Sequence, residues 1–515
     1  MYKRHHIPFF LIVLKAFCAI PSVQCSNGLD IAQQVLDKLY MVSGQYVYKK
    51  PALELSSDNE RVATYSPSQN LITIDEKALA ICKSMGTENA NALAFLIGHE
   101  LAHAFQKEVR QQNETTNFLS YDKHFHSSVR TEKVADIQGV FVGYLAGYGM
   151  QKAIPVVLEK LYIEYGLMGK KLPNYPTFEE RTQSAKEVVS LVEDLTNLFE
   201  VNQYLLALKK YKLASISLEH ILEYYQGFEI QNNLGVTYLY SAFEFFDDET
   251  DMYSYPIKLD TSSQLATIDK ARGKPNLTER KFRNRILHSA LGYFEQSINL
   301  NPNYTTAKVN RACALNLLRQ QDIAFSYLNS EAFSINEKKR PEYLLILGIT
   351  EALLKNNFRA SNIFETISKF NNTIVADQGK HNLSILKGGE ITIKKTIKPN
   401  VTASLYQTIN DLKMGSTRNW HNITLNAEQG LVCKVNQMNG NRHFLFTTGY
   451  ESTGVIITNR IDKNIKLSKN NLDVISFYGQ NILIAKNCFY YNIEKEDVVI
   501  KCDNNFNILE IAKYF

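Results

Sequence analysis

Apolar residues recur along this 515-residue chain with three different spacings. An almost unbroken apolar segment runs through residues 91–108, and from about Asn197 the apolar positions follow helical pairs with a repeat of about 34 residues. Past Asn371, strand-length apolar runs alternate with Asn, Gly and Asp. The pattern predicts a multidomain chain with a mostly α-helical first domain, an α-helical repeat array and a small all-β domain. The predicted boundaries are 26–194, 195–370 and 371–515.

The first apolar segment contains the string His-Glu-Leu-Ala-His at residues 99–103. Residues i and i+4 of a helix lie about 40° apart around its axis, so His99 and His103 leave one face a turn apart. Two imidazoles at this separation can bind one zinc ion, and Glu100 can act as general base toward a water on that zinc. Because this helix is apolar nearly all round, we expect it to be buried, where His and Glu need partners. The alternative for the string alone is a surface helix with solvated side chains.

A third metal ligand is predicted downstream, where a polar turn opens the next apolar run. Glu132 and Asp136 are again i and i+4, on one face of one helix. Glu132 can complete a His, His, Glu set that leaves the fourth zinc position to water. Asp136, a turn further on, suits a hydrogen bond to a ligand imidazole that fixes its tautomer. The alternative is an acidic first helical turn that complements the helix dipole.

The two motifs together, H-E-x-x-H followed by E-x-x-A-D, resemble those of the HtpX/BepA-type gluzincins, metallopeptidase family 48. The resemblance covers about residues 28–190. It implies an α+β gluzincin domain with one Zn²⁺ held by His99, His103 and Glu132, with Glu100 as the catalytic base. It also implies an endopeptidase that acts on misfolded or misassembled proteins.

Further segments carry the resemblance outside the two motifs. Residues 62–67 and 70–75 resemble the part of the family in which a strand lines the cleft and pairs with substrate backbone, without its usual Pro-Gly-Gly turn. Tyr175 stands before a proline where the family usually has His; it could donate to a tetrahedral oxyanion or only pack. Arg181 is a second candidate for supporting the cleft. His124 and His126 could bind metal or occlude the cleft, but a solvated loop is the favoured interpretation.

Small and aromatic residues at fixed offsets mark the helical pairs. Leu234-Gly235 is followed by Ala290, Phe294 and a proline, and Leu347-Gly348 is followed by Ala360 and Phe364. These offsets resemble a tetratricopeptide-repeat (TPR) array of four repeats, with residues 248–284 as a polar loop inserted within one of them. Such arrays stack into a solenoid whose concave face binds extended peptide or a partner protein. The alternative is a spacer or a lid on the catalytic domain.

The N-terminus predicts export. Basic Lys3 and Arg4, the apolar run 8–14 and the small-residue exit 22–25 are typical of a signal peptide, predicted over residues 1–25. Lys15 makes that run too short to span a bilayer. A cleaved leader is favoured over lipidation of Cys25 and over an uncleaved anchor. No other apolar run reaches 18 residues, so no transmembrane helix is expected in the mature chain, and the expected location is the periplasm or cell envelope.

Charge and cysteine content add little to the assignment of function. The formal net charge of +5 does not indicate nucleic-acid binding. Cys82 and Cys313 are expected to be core thiols. One disulfide among Cys433, Cys488 and Cys502 is an alternative after export, and their spacing does not choose the pair.

The sequence therefore predicts an exported zinc metalloendopeptidase whose partners are a polypeptide substrate and a protein bound by the repeats. The alternative belongs to another class: a protein-binding or assembly factor in which the repeats act and the metal domain is inactive or regulatory. The presence of Glu100 disfavours that alternative, because a purely structural metal site has no use for this carboxylate. Tyr175, in place of the family's usual His, keeps it open.

Overall fold

The structure is a computed structural model, and it is mostly helical with a separate β-sheet near the C-terminus. The residues that it describes are 28–112, 115–119, 128–171, 176–246, 253–259, 277–370, 373–389, 411–414, 416, 420–438, 441–448, 452–459, 476–477, 480–481, 488–493, 496–502 and 508–515. Among them, no helix combines the length and the hydropathy that a membrane crossing requires. The predicted leader, residues 1–25, lies outside the described residues.

The first part of the chain combines six helices with a small sheet. Its elements are α1 (Gly28–Val42), β1 (Ala52–Ser56), β2 (Ala63–Ser66), β3 (Leu71–Asp75), α2 (Glu76–Lys83), α3 (Asn89–Phe105), α4 (Lys107–Gln112), α5 (Ser128–Leu145) and α6 (Ala153–Glu164). The strand order is β1-β3-β2, with β1 parallel and β2 antiparallel to β3. β2 is therefore an edge strand, and it lies in the segment that the sequence analysis assigned to the cleft.

Helix α3 forms the centre of this region. Every residue from Ala92 to Ala104 is buried, as its all-round apolar pattern predicts. Helix α5 crosses α3 where Gly98 faces Gly139. A Cβ on Gly139 would lie 2.6 Å from the carbonyl carbon of Gly98 and 2.8 Å from the backbone nitrogen of His99. The two backbones meet there, which only glycine permits, and this contact positions the ligands that the two helices carry.

Antiparallel helical pairs follow. Their helices are α7 (Phe178–Ala207), α8 (Tyr211–Leu222), α9 (Phe228–Phe243), α10 (Leu277–Leu300), α11 (Thr305–Leu317), α12 (Gln321–Asn329), α13 (Pro341–Leu353), α14 (Asn357–Ile367) and α15 (Thr373–Leu386). In three of the pairs the turn contains a non-glycine residue with positive φ at the equivalent place: Lys209 (61°), Arg319 (61°) and Lys355 (67°). These three turns therefore share the same left-handed backbone conformation at one position.

Close helix contacts also recur at the offsets noted in the sequence. A Cβ on Gly235 would lie 2.6 Å from the ring of Phe294, and one on Gly348 would lie 2.7 Å from the ring of Phe364. The small residue on the first helix of each pair thus accommodates an aromatic ring from the second. This contact explains the recurrence of Gly and Phe, because a larger residue would separate the helices.

Three predicted boundaries differ from the structure. Helix α7 runs without interruption across the predicted boundary at 194/195, so the first domain and the helical pairs share a helix. The predicted β-rich start at residue 371 is too early, because α15 packs against α13 and α14. The predicted insertion 248–284 is too long and not uniformly polar: α10 begins at Leu277, and residues 253–259 are mostly buried.

The C-terminal strands form one antiparallel sheet of seven, in the order β10-β11-β12-β7-β6-β5-β4, with a separate two-stranded β8-β9 ribbon. The strands are β4 (His421–Asn426), β5 (Leu431–Met438), β6 (Asn441–Thr447), β7 (Ser452–Thr458), β8 (Ser476–Phe477), β9 (Gln480–Asn481), β10 (Cys488–Ile493), β11 (Glu496–Cys502) and β12 (Ile508–Tyr514). The small all-β domain predicted from the sequence therefore has, among its described residues, one open seven-stranded sheet and this ribbon.

This sheet contacts helix α7 through charged groups. Arg442 on β6 pairs with Glu200 on α7 and donates to Glu510 Oε1 at 2.9 Å. His421 Nε2 lies 2.7 Å from Asp194 Oδ1. A half-exposed charged interface of this kind gives specific orientation with little net stability.

The cysteines agree with the sequence analysis in part. Cys82 and Cys313 are buried free thiols, as predicted. Cys433 is also a buried free thiol, which removes it from the proposed disulfide set. The side chains of Cys488 and Cys502 lie outside the described part of the structure.

We predict that Gly139→Ala destabilises the protein and separates α3 from α5. The added Cβ meets backbone rather than a movable side chain, so we expect a loss of about 1–3 kcal/mol in the free energy of unfolding. The matched control is Gly292→Ala in α10, where an added Cβ meets no heavy atom within 4 Å. That change should stabilise by up to about 1 kcal/mol through helix propensity. Urea unfolding measures both, and equal shifts in the two variants would contradict the crossing described above.

Candidate metal centre

Two histidines and one glutamate converge between α3 and α5. His99 Nε2 lies 3.0 Å from His103 Nε2 and 3.1 Å from Glu132 Oε2. His103 Nε2 lies 3.4 Å from Glu132 Oε1. Both imidazoles are fully buried, and the carboxylate is 13% exposed. The structure thus brings together the three side chains that the sequence selected as metal ligands.

The outer nitrogens of both imidazoles have acceptors. His99 Nδ1 lies 2.8 Å from Asp136 Oδ1, and His103 Nδ1 lies 2.9 Å from Gln106 Oε1. The amide of Gln106 is oriented by its own donation to the carbonyl of Thr131 at 3.1 Å. This hydrogen-bond network assigns the proton of each neutral ring to Nδ1. Both Nε2 lone pairs therefore face the shared space between the ligands.

Arg181 holds Asp136 in place. It donates through Nη2 to Asp136 Oδ1 at 2.9 Å and through Nη1 to Oδ2, and both side chains are buried. Burial acts to raise the pKa of Asp136, but the Arg181 guanidinium and His99 lower it below its ordinary value. The sequence analysis placed Arg181 in support of the cleft. In the structure it reaches the metal centre indirectly, through the carboxylate that orients His99.

The donor set fits a zinc ion. Zinc–nitrogen and zinc–oxygen bonds of about 2.0–2.1 Å in a tetrahedron place neighbouring ligand atoms roughly 3.3 Å apart, close to the observed separations. Burial acts to lower the pKa of His99, but Asp136 and Glu132 raise it to about 10. Without a metal, the two carboxylates around His99 therefore favour a positive charge on this imidazole. His103 and Glu132 supply the other two contacts that a divalent cation would use.

Glu100 lies beside these ligands but is not one of them. It is fully buried, and its Oε2 accepts a hydrogen bond from the Thr116 hydroxyl at 2.6 Å. Its Oε1 has no hydrogen-bond partner among the described residues. Burial raises the pKa of this carboxyl group. A buried acceptor without a partner costs free energy, and the loss is restored when a proton-bearing ligand such as water enters the site.

A segment of the chain lies along the free edge of β2 and covers Glu100. The backbone N–H groups of Thr116 and Phe118 donate to the carbonyls of Tyr65 (2.9 Å) and Ala63 (3.1 Å). The Tyr65 N–H donates to the Thr116 hydroxyl at 2.8 Å. The Phe118 ring packs edge-on against His99, with centroids 5.0 Å apart. Residues 116–118 thus pair with β2 in the antiparallel manner of an added strand.

Sequence reasoning missed two residues of this site. Gln106 follows His103 by three residues and so lies one turn further along the same face, a spacing that could have marked it as a partner of His103. Thr116 carries no such signal, because only the pairing of its segment with β2 brings it to Glu100. Three candidates, Tyr175, His124 and His126, lie outside the described residues.

No protein-family model matches the chain, and no curated protein is similar to it at a significant level. The chemistry of the site is therefore inferred from its own side chains and their distances. The site has three converging ligand side chains and a fixed tautomer on each imidazole. It also has a buried carboxylate, one oxygen of which has no hydrogen-bond partner among the described residues.

Proposed function

We propose that the protein is a zinc-dependent metalloendopeptidase of the gluzincin type, with one Zn²⁺ held by His99, His103 and Glu132. The observation that carries the proposal is the convergence of three ligand side chains, with nitrogen–nitrogen and nitrogen–oxygen contacts of 3.0–3.4 Å, beside a carboxylate that does not join them. A structural zinc site is closed by four protein ligands, whereas a catalytic site has three. The three-ligand set and the free oxygen of Glu100 favour the catalytic kind.

The residues around the metal have separate tasks. Zinc in such a site supplies a Lewis acid that polarises a carbonyl and makes water nucleophilic near neutral pH. Glu100 takes the proton from the attacking water at Oε1 and returns it to the leaving amine. Asp136 and Gln106 keep each imidazole proton on Nδ1 so that Nε2 can bind the metal. Arg181 keeps Asp136 ionised and fixed.

An extended substrate would lie along β2. Edge strands bind peptides by adding a strand, and β2 passes directly beside α3. Residues 116–118 take this place in the structure, so we infer that it represents a closed form. A substrate that replaces them would receive the backbone hydrogen bonds of Tyr65 and would release Glu100 from Thr116.

The remaining assignments rest on the sequence resemblance. They are an exported enzyme of the periplasm or cell envelope, unfolded or misassembled protein as substrate, and helical pairs that act as TPR repeats binding a substrate or partner. The recurring turn residues and Gly–Phe contacts of the pairs support the last of these. The β-sheet carries no chemistry that we can assign.

A second candidate function is a protein-assembly factor whose metal domain is inactive. The closed cleft favours it, because Phe118 and Thr116 cover His99 and Glu100. The free Oε1 of Glu100 argues against it, since an inactive site has no need of a buried carboxylate with an unused oxygen.

We predict that the purified full chain binds one zinc ion, measured by elemental analysis of the folded protein. Glu132→Gln should reduce the bound zinc strongly, because the amide replaces an anionic ligand. Glu100→Gln is the matched control and should retain one equivalent, because Glu100 lies outside the ligand set. Equal loss of zinc in both variants would contradict the separation of ligand and base.

We predict that the protein cleaves casein and that a chelator abolishes the cleavage. Glu100→Gln should lower the rate by about 10²–10⁴-fold, the usual contribution of a general base, while the zinc content stays unchanged. Cleavage that persists in the zinc-loaded Glu100→Gln variant would remove this mechanism. Undiminished function of that variant in cells, where the deletion has a phenotype, would favour the assembly factor.

We predict that Thr116→Pro increases kcat/KM on a short peptide several-fold. Proline removes the N–H donor to the Tyr65 carbonyl and the hydroxyl that donates to Glu100 and accepts from the Tyr65 N–H, so the covering segment loses three of its contacts. The control is Thr115→Pro, at an exposed neighbouring residue, which should leave kcat/KM unchanged. A folded, zinc-loaded Thr116→Pro protein with unchanged or lower activity would contradict the closed form.

A further inference from the structure

Residues 253–259, with the sequence Tyr-Ser-Tyr-Pro-Ile-Lys-Leu, lie against the helical pairs. They are inserted between α9 and α10, but their contacts extend well beyond that pair. Their hydrogen bonds and ion pair reach α9, α11, α13 and α15, which are the first helices of successive pairs and the helix that follows them. All seven residues are buried except Lys258. This segment lies in a groove that several pairs build together.

Side-chain amides hold the backbone of the segment at two points. Asn310 accepts from the Lys258 N–H (3.0 Å) and donates to the Lys258 carbonyl (2.7 Å). Asn382 does the same for Ser254, accepting at 2.7 Å and donating at 3.1 Å. Gln378 donates to the Tyr255 carbonyl at 3.0 Å. Each of these contacts is made to the backbone of the segment, so another extended peptide whose side chains fit the groove could make the same hydrogen bonds.

The amides of the groove are built for such a backbone. Asn310 and Asn382 are fully buried, as is Asn232, which accepts from Asn310 at 2.9 Å and donates to the Lys258 carbonyl at 3.3 Å. Buried amides without partners would each cost about 1–3 kcal/mol. A peptide backbone placed between them satisfies all three, which a groove lined only for helix packing would not require.

The side chains of the segment define what the groove selects. Tyr253, Tyr255, Ile257 and Leu259 are each at most 9% exposed. Lys258 points outward, and its Nζ pairs with Glu342 on α13. The groove therefore fits an extended heptapeptide with apolar or aromatic residues at alternate positions. A lysine in the sixth position meets the carboxylate at the rim.

We propose that residues 253–259 are a tethered occupant of a peptide-binding groove, and that the partner is a protein segment with this same pattern. The inference rests on the proposed binding role of the helical pairs and is independent of peptide hydrolysis. A tethered segment acts at an effective concentration of about 1 mM. If the segment itself has a micromolar intrinsic affinity for the groove, any partner peptide would therefore bind the intact protein roughly 10³-fold more weakly than it binds the empty groove.

The test uses a fluorescent, acetylated and amidated peptide, Tyr-Ser-Tyr-Pro-Ile-Lys-Leu, and fluorescence anisotropy with full-length protein. One variant replaces residues 253–259 with Gly/Ser of equal length, and a second carries Tyr255→Asp, which opposes burial of the segment without altering the groove. We expect both to bind the peptide at least 100-fold more tightly than the unmodified protein. Asn310→Ala in the Gly/Ser variant should weaken binding about ten-fold or more, whereas the control Asn362→Ala, at an exposed residue of α14, should not change it.

Two results would overturn the proposal. One is that both variants keep their helical circular dichroism and cooperative unfolding but bind no peptide. The other is that both variants lose the fold of the helical pairs, since the segment would then be a permanent structural brace. Anisotropy requires neither zinc nor cleavage, so failure of the peptidase assays leaves this result unaffected.

Discussion

The arrangement of the first domain depends on two imidazole nitrogens, His99 Nε2 and His103 Nε2, whose lone pairs face each other at 3.0 Å. When both rings are neutral, each carries its proton on the Nδ1 that faces an acceptor, so neither Nε2 can donate to the other. A proton shared by the two Nε2 atoms would satisfy those atoms but would leave the Glu132 carboxylate only partly satisfied. A divalent cation satisfies all three ligand atoms at once. Burial strengthens this requirement, because no bulk water is available to screen the electrostatic repulsion between the lone pairs of the ligand atoms.

The same constraint explains the architecture around the ligands. The contact of Gly98 with Gly139 lies one residue from His99 and less than one turn from Asp136, so it fixes the distance between ligand and orienting carboxylate. Arg181 adds a third helix, α7, to the arrangement. Because α7 also begins the series of helical pairs and contacts the β-sheet through Glu200, this one helix makes contacts in all three parts of the chain.

The sequence predicted those features that depend on local spacing and missed those that depend on the path of the chain. His99, His103 and Glu132 follow from helical periodicity, and the structure brings them together. Strands β4 to β12 also lie past Asn371, where the sequence predicts strand-length apolar runs. Thr116 and the segment 253–259 could not be found in this way, since their partners lie outside any single helical or strand repeat. Thr116 contacts Glu100, 16 positions away, and Tyr65, 51 positions away, and Ser254 contacts Asn382, 128 positions away. The segment 253–259 looked like part of a polar loop because its neighbours in sequence are charged, whereas its own residues alternate in a pattern that suits a groove.

Helix α15 was missed because its composition is rich in polar residues and its apolar stripe is weak. The helix is stabilised by packing against α14, which the sequence pattern alone does not show.

Both of the proposed recognition surfaces are occupied by the chain itself, and in both most of the hydrogen bonds are made to backbone. Residues 116–118 use the free edge of β2, and residues 253–259 use paired amide side chains. Backbone hydrogen bonds give affinity without sequence discrimination, which would suit the proposed action on unfolded chains but would also permit indiscriminate binding. An internal competitor at each surface raises the affinity that an external peptide must reach. It thereby restores selectivity that the contacts themselves do not provide. The groove of residues 253–259 adds a further selection, because the alternate apolar side chains of that segment are buried in it.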